Sequence, residues 1–206
     1  MLSQSLYFFS KSAPHNLLKC NHFYKDVTAL RIMIDNELET RIGTFAFLRS
    51  EGKTLMLHRN KDPSDFLYGK FVAPGGKFKP RETPQECAVR EYKEETNLTL
   101  GNVFYKGWIF FDNAKRNFQG KPAKFNFLVY IFEATSYTGN MKHPKEGDLI
   151  WVPEEKLTDL EMEKGDAFII KRAVEGKPLH HRIILSDTDA VMEELPKEEY
   201  DQYYIR

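Results

Sequence analysis

The sequence has little cysteine, no net charge and no long run of apolar residues. Its two cysteines, Cys20 and Cys87, are too few for a disulfide framework or a thiolate zinc site, so a reducing cytoplasm is the expected compartment. Thirty basic residues balance thirty acidic ones, which gives no electrostatic support for a nucleic-acid polymer as partner. No apolar run approaches the roughly 18 residues of a transmembrane helix, and we expect no membrane partner.

The composition that is present is typical of a globular domain. The hydrophobic fraction is 41% and the charged fraction 29%, and 206 residues suffice for one sizeable domain with arms. We expect an N-terminal arm over residues 1–40, a domain over 41–186 and a C-terminal tail over 187–206. The arm has no acidic residue before Asp26, so a targeting segment is an alternative to a chain-specific extension.

Apolar and β-branched runs alternate with turn signals along the domain. The predicted strands lie at residues 27–34, 41–48, 53–59, 70–73, 103–111, 125–134, 149–152 and 179–185. Helices are predicted over 84–96 and 163–174, and a glycine turn at 75–76. A basic loop over 112–124 is more typical of a solvated surface than of a phosphate site. Strands on both sides of a central helix, with a second helix late in the chain, indicate an α/β fold.

The first helix has clear boundary signals. Thr83 is suited to the N-cap, Pro84 to the first helical position, and Glu86 has the spacing of a capping box. Asn97 follows the last helical residue, where a left-handed conformation ends many helices.

The helix places three carboxylates together. Glu91, Glu94 and Glu95 are spaced i, i+3 and i+4, so they project from one side within a turn and repel one another. We expect Arg90 to lie beside this cluster rather than inside it, which leaves negative charge uncompensated. A divalent cation would compensate it, and an all-oxygen ligand set suits Mg²⁺ or Mn²⁺. The alternative is a solvated acidic helix face.

This stretch resembles the Nudix box, G-x5-E-x7-R-E-U-x-E-E-x-G-U, in which U is a bulky apolar residue. The matching positions are Gly76, Glu82, Arg90, Glu91, Glu94, Glu95 and Leu98. Two positions differ: Tyr92 replaces an aliphatic residue and Asn97 replaces the last glycine. Both replacements are conservative, because Tyr92 falls on the packing face and asparagine tolerates the cap conformation.

The resemblance implies a Nudix-type α/β/α sandwich with a mixed β-sheet and an enzyme that splits a diphosphate joined to a nucleoside. It implies Mg²⁺, with Mn²⁺ as an alternative, held by Glu91, Glu94, Glu95 and the backbone carbonyl of Gly75. Glu91 or a neighbouring carboxylate would also orient the attacking water. Structural support would come from Gly76 and from an ion pair between Glu82 and Arg90. We further expect Gly75 to be required because a side chain there would crowd the ion.

Substrate contacts are expected outside the box. Arg59 and Lys77 are candidates for the phosphates, although each is alternatively a surface charge. Glu146 is the candidate for a further catalytic carboxylate from a distant loop, with Asp148 as the alternative. Asp166 is the candidate for contact with a purine edge, or it is a helix N-terminal charge favoured by the dipole.

The stretches around Glu146 and Asp166 resemble enzymes that sanitise oxidised purine nucleoside triphosphates. The expected activity is therefore MutT-like hydrolysis of a nucleoside di- or triphosphate, with a small-molecule nucleotide as partner. Val72 stands where animal members of that type have an asparagine, so ADP-ribose, nucleotide sugars and dinucleoside polyphosphates remain alternatives. A non-catalytic nucleotide-binding regulator is disfavoured, because all three helix glutamates are present. The arm suggests a homodimer as one option.

Overall fold

The structure is a computed structural model that describes residues 38–118 and 120–194. Its strands are β1 (Glu39–Ser50), β2 (Lys53–His58), β3 (Phe71–Val72), β4 (Gly75–Lys77), β5 (Thr99–Lys115), β6 (Asn117–Phe118), β7 (Lys121–Pro122), β8 (Phe125–Thr138), β9 (Asp148–Pro153), β10 (Leu179–Ser186) and β11 (Ala190–Glu194). Its helices are α1 (Pro84–Thr96) and α2 (Lys164–Val174), with a 3-10 helix over Glu154–Asp159.

The described strands build a mixed sheet in the order β11-β10-β5-β8-β1-β2-β3, to which β4 adds on β1 and β9 on β2. The pairs β1–β8 and β10–β5 are parallel, and the remaining pairs are antiparallel. Strand β1 is central to the site region. Its Phe45 lies opposite Ile131 of β8 on one side and opposite Gly75 of β4 on the other.

Each face of the sheet carries its own hydrophobic core. The alternation of side chains along β1 sends Ala46 and Leu48 into one core and Phe47 into the other. Helix α1 closes the first with Ala88 and Tyr92, and α2 closes the second with residues such as Ile169 and Ile170. Complete burial of one such apolar side chain contributes about 1.5–3 kcal/mol. The α/β/α sandwich with a mixed sheet is thereby confirmed.

The predicted boundaries of α1 are confirmed by its caps. The Thr83 hydroxyl accepts a hydrogen bond from the Glu86 N–H at 3.3 Å, and the Glu86 carboxylate accepts from the Thr83 N–H at 2.8 Å. Asn97 ends the helix with φ of +61°. This reciprocal capping satisfies two backbone donors that would otherwise lack a partner.

Three predictions about secondary structure need correction. The glycine turn expected at residues 75–76 is instead part of strand β4. The basic loop over 112–124 contains the end of β5 and the short hairpin β6–β7. Residues 190–194, placed in the tail, form β11 and pair with β10. The strand predicted over 27–34 lies outside the described residues. Among the described helices, none is long and apolar enough to cross a membrane.

Candidate active site

Strand β4 lies directly against the glutamates of α1. The backbone N–H of Gly75 donates a hydrogen bond to Glu95 Oε2 at 3.0 Å. A Cβ atom on Gly76 would lie only 2.3 Å from Glu91 Oε2. The carboxylate of Glu91 therefore occupies the space in which a side chain at residue 76 would stand, and only glycine permits this approach.

Gly75 has a different requirement from the one expected. A Cβ atom there would lie 2.0 Å from the backbone oxygen of Thr44, because Gly75 pairs closely with β1 opposite Phe45. The expected reason, crowding of an ion by a side chain, is thus replaced by close contact between two backbones. The pairing orients β4 so that its amide reaches Glu95.

Arg90 and Glu82 form the predicted ion pair. The guanidinium group of Arg90 contacts both carboxylate oxygens of Glu82, through Nε and through Nη2, the latter at 2.8 Å. Glu82 also accepts from the N–H of Lys79 at 2.8 Å, and Arg90 lowers the pKa of Glu82 to about 2. The charged pair therefore fixes the loop before α1 against the helix.

The position expected for Arg90, beside the glutamate cluster, is wrong. Its Nη1 atom donates to Glu91 Oε1 at 2.6 Å and to Glu94 Oε2 at 3.2 Å. Arg90 thus lies within the cluster and neutralises part of its charge. The prediction missed this because it considered spacing along the helix and not the direction of a long side chain.

Two lysines near the cluster, Lys77 and Lys79, have different surroundings. The side chain of Lys77 is exposed, and alternation along β4 turns it to the opposite face from the Gly76 position that meets Glu91. Lys79 instead reaches the cluster, where its Nζ lies 2.8 Å from Glu94 Oε1. The sequence carries no spacing signal for Lys79, because it lies in the loop that precedes α1.

Glu95 is the most perturbed carboxyl group of the cluster. Burial, followed by the charges of Glu91 and Glu146, raises its pKa to about 7 against the opposing effects of the Gly75 amide and Arg59. Arg59 and Glu146 are therefore both brought near the same carboxyl group from distant parts of the chain. Arg59 is held in place by an ion pair with Asp65.

The two candidates for the distal carboxylate have different surroundings. Asp148 binds Asn60 at 3.0 Å and Lys61 at 2.9 Å, and these contacts hold the pKa of its carboxyl group below its usual value. Glu146 instead acts on Glu95 through its charge. These contacts favour a structural role for Asp148 and leave Glu146 as the candidate whose charge reaches the cluster.

Asp166 lies away from α1, in a small cavity on the α2 face of the sheet. The remaining lining residues are apolar: Phe45, Phe47, Met56, Ala73, Met162, Ile169 and Ile170. Burial, with a smaller effect of Glu163, raises the pKa of Asp166 to about 7. Asp166 is therefore a half-buried carboxyl group surrounded by aromatic and aliphatic side chains.

A charged group at the start of α2 was missed by the sequence analysis. Glu163 accepts hydrogen bonds from Lys70 and from Arg116, and both cations also lie over the ring of Phe66. Their charges reach Asp166. Arg116 was predicted only as part of a basic loop, because its partners Glu163 and Phe66 lie 47 or more positions away in the chain.

The donor set of the cluster fits a divalent cation. It offers three carboxylates and the Gly75 backbone carbonyl, all oxygen ligands, and includes Glu95, whose pKa is raised first by burial and then by the charges of Glu91 and Glu146. Within residues 38–118 and 120–194, no three acidic, histidine or cysteine side chains converge on one point as they stand. Arg90 and Lys79 hold Glu91 and Glu94 in other contacts.

Comparison with known proteins places this site in a family. The NUDIX domain model matches residues 39–173, which includes α1 and the loop that carries Glu146. The chain is 32% identical over 139 residues to the uncharacterised Nudix hydrolase YvcI of Bacillus subtilis, covering 67% of this chain and 82% of that protein.

Solved structures show the same fold. The mutator MutT protein of Bacillus halodurans is 26% identical with a TM-score of 0.63, covering 76% of this chain and 99% of that one. The MutT protein of Methanosarcina mazei is 25% identical with a TM-score of 0.53, covering 68% and 96%. The Nudix domain of Shewanella oneidensis NrtR, solved with ADP-ribose, shares the fold at 14% identity and a TM-score of 0.53, covering 71% and 96%. The chain therefore belongs to the Nudix hydrolase family, is MutT-like and is a hydrolase that acts on pyrophosphate bonds.

Proposed function

We propose that this enzyme hydrolyses a diphosphate linkage in a nucleoside triphosphate, in the manner of MutT, and releases a nucleoside monophosphate and pyrophosphate. One observation carries the proposal: the charges of Arg59 and Glu146 both reach Glu95, so a cation and a further carboxylate lie near the glutamates of α1. A diphosphate requires positive charge beside it, and an attacking water requires a carboxylate that orients it.

The proposed metal site consists of Glu91, Glu94, Glu95 and the backbone carbonyl of Gly75, with Mg²⁺ as the ion and Mn²⁺ as the alternative. The bound ion would neutralise charge on the phosphates and lower the pKa of a water molecule. The Gly75 amide supports this role, because it already orients Glu95 at 3.0 Å. Glu91 is similarly held by Arg90 at 2.6 Å.

The side chains around the proposed metal site would have separate roles in the reaction. Glu146, or Glu91, would accept a proton from the attacking water or orient it. Arg59 would contact the phosphates from the end of β2, and its ion pair with Asp65 would keep its side chain in one orientation. Lys77 remains a candidate for a phosphate contact through its exposed side chain. Gly76, Glu82 and Arg90 would support this geometry without contacting the substrate.

The cavity around Asp166 is the proposed site of the base. Aromatic side chains of β1, Phe45 and Phe47, line it with Asp166 as the polar group. In its present shape the cavity has room for about one water molecule, so its walls would have to open before a purine, including an oxidised one, could place its ring there and offer its edge to the carboxyl group. Phe45 lies directly opposite Gly75 in the β1–β4 ladder, so the cavity adjoins the strand that orients the glutamates.

ADP-ribose is the second candidate substrate. The specific support is the NrtR Nudix domain, which has the same fold and was solved with ADP-ribose. The glutamate cluster would serve ADP-ribose, nucleotide sugars and dinucleoside polyphosphates in the same chemical manner, because each contains a diphosphate. The base cavity and its carboxyl group therefore decide among them.

The test is a panel of normal and oxidised purine triphosphates, pyrimidine triphosphates, ADP-ribose, nucleotide sugars and dinucleoside polyphosphates, each incubated with Mg²⁺ and then with excess EDTA. We expect pyrophosphate and a nucleoside monophosphate from a purine triphosphate, and no turnover in EDTA. Release of ribose phosphate from ADP-ribose, without triphosphate turnover, would contradict the preferred substrate class.

A substitution distinguishes catalysis from nucleotide binding alone. Glu94→Gln should lower kcat by about a hundredfold or more, because it removes one negative ligand without changing size. The matched control is Glu155→Gln on the exposed surface of the 3-10 helix, which should leave kcat unchanged. Equal kcat for Glu94→Gln and the wild type would overturn the assignment of the glutamates.

A further inference from the structure

The exposed residue Lys61 makes three side-chain contacts with the loop that carries Glu146. Its ammonium group donates to the backbone oxygens of Pro144 at 3.2 Å and Gly147 at 2.8 Å, and it lies 2.9 Å from Asp148 Oδ1. An ammonium group has three protons, so these three acceptors use all of them. They lie on both sides of Glu146 in the chain.

The backbone adds to this attachment. The N–H of Lys61 points to the carbonyl oxygen of Glu146 at 3.4 Å, and Asn60 donates to Asp148 Oδ2 at 3.0 Å. Gly147 packs closely against β2, because a Cβ atom added at Gly147 would lie 1.9 Å from the backbone oxygen of His58. The end of β2 and the two residues after Arg59 therefore hold the 144–148 loop.

The loop held by Lys61 carries Glu146, the carboxylate whose charge reaches Glu95. Glu146 and Arg59 act through their charges on Glu95, while Glu95 itself is fixed independently by α1 and the Gly75 amide. A loss of the Lys61 contacts would thus displace Glu146 without displacing the glutamates of α1. Lys61 itself has no contact with those glutamates among the described hydrogen bonds and ion pairs.

We propose that Lys61 is a positioning residue, which holds the 144–148 loop so that Glu146 is oriented toward the α1 glutamates. The inference rests on the proposed role of Glu146 in hydrolysis. It adds a function for a lysine that lies in an irregular loop, 85 positions before Glu146 in the chain. Neither the Nudix box nor any spacing in the sequence marks this residue.

The test is a double-mutant cycle with Lys61→Met, Glu146→Gln and the double variant, measured on the best substrate of the panel. We expect Lys61→Met to lower kcat by about 10- to 100-fold, the effect of a misplaced catalytic group, with little change in KM. The double variant should match Glu146→Gln alone, because a displaced loop costs nothing further once its carboxylate is gone. Lys177→Met, at an exposed ion pair with Glu175, is the control and should behave as wild type.

A second readout does not depend on turnover. Amide hydrogen exchange of residues 144–148 in the metal-free protein should become faster in Lys61→Met, while exchange within α1 should stay unchanged. Unchanged exchange in the loop would overturn the inference, because the contacts would then not hold it.

The kinetic outcomes separate the two proposals. A wild-type kcat for Glu146→Gln would remove the role of Glu146 and the inference with it. An impaired Glu146→Gln beside an unimpaired Lys61→Met would overturn the inference alone. A double variant whose fold-loss in kcat equals the product of the two single losses would also overturn the inference, because Lys61 would then act independently of Glu146.

Discussion

For the partly buried carboxyl group of Glu95, we predict that its replacement changes stability and activity in opposite directions. Burial and the charges of Glu91 and Glu146 raise its pKa from the ordinary value of 4.5 to about 7. The folded protein therefore binds more protons than the unfolded chain between these pH values, and its stability falls as the pH rises through them. We expect Glu95→Gln to remove this loss, since the amide carries no charge at any pH.

The magnitude follows from the same pKa values. The difference between 4.5 and about 7, at 1.36 kcal/mol for each pH unit, limits the penalty of the ionised group to about 3 kcal/mol. In EDTA at pH 8, Glu95→Gln should be more stable than the wild type by about 1–3 kcal/mol. The Gly75 N–H keeps an oxygen acceptor in the variant, so no buried donor is left unpaired. At pH 4.5 the difference should nearly vanish.

Urea unfolding of the wild type and Glu95→Gln at both pH values measures this difference directly, and the subtraction removes the effects of other titrating groups. Glu94→Gln is the control: that carboxylate is half exposed, so its replacement should give no comparable gain at pH 8. Turnover of Glu95→Gln in Mg²⁺ should nevertheless fall by at least about a hundredfold. A variant less stable than the wild type at pH 8, or a stability difference independent of pH, would refute this reasoning.

Three further substitutions follow from the site. Gly75→Ala should lower the free energy of unfolding by more than about 2 kcal/mol in urea titration, because its Cβ would lie 2.0 Å from the backbone of Thr44; an unchanged unfolding free energy would contradict the close pairing. Gly76→Ala meets the flexible carboxylate of Glu91 at 2.3 Å, so it should fold but lose turnover about tenfold or more, and full kcat would contradict the contact. Asp166→Asn should change the ratio of kcat/KM between purine and pyrimidine triphosphates about tenfold, whereas an unchanged ratio would remove Asp166 from base recognition.

The sequence predicted local features well because their causes are local. The caps of α1 depend on Thr83, Glu86 and Asn97, which act on backbone groups within four positions. The hairpin of β1 and β2 follows from the short turn at Glu51 and Gly52. For both the helix caps and the hairpin turn, the residues that determine the local structure are adjacent in sequence to the helix or strands concerned.

Strand β4 was missed because its cause is distant. A pair of glycines favours a turn by its conformational freedom, but Gly75 and Gly76 pair with β1 residues about thirty positions earlier. The same limit applies to the placement of Arg90 and to the contacts of Lys61. The contacts of a long side chain depend on which groups lie near it in the folded protein, and the spacing of residues along the chain carries little information about those groups.

The two cores of the sheet give the enzyme two separately adjustable parts. The glutamates stand on α1, which closes one core, whereas the residues around Asp166 belong largely to the core on the opposite face. Substitutions that do not share contacts usually combine additively. If the cavity binds the base, as proposed, substitutions in its lining would change the accepted nucleotide without altering the glutamates of α1.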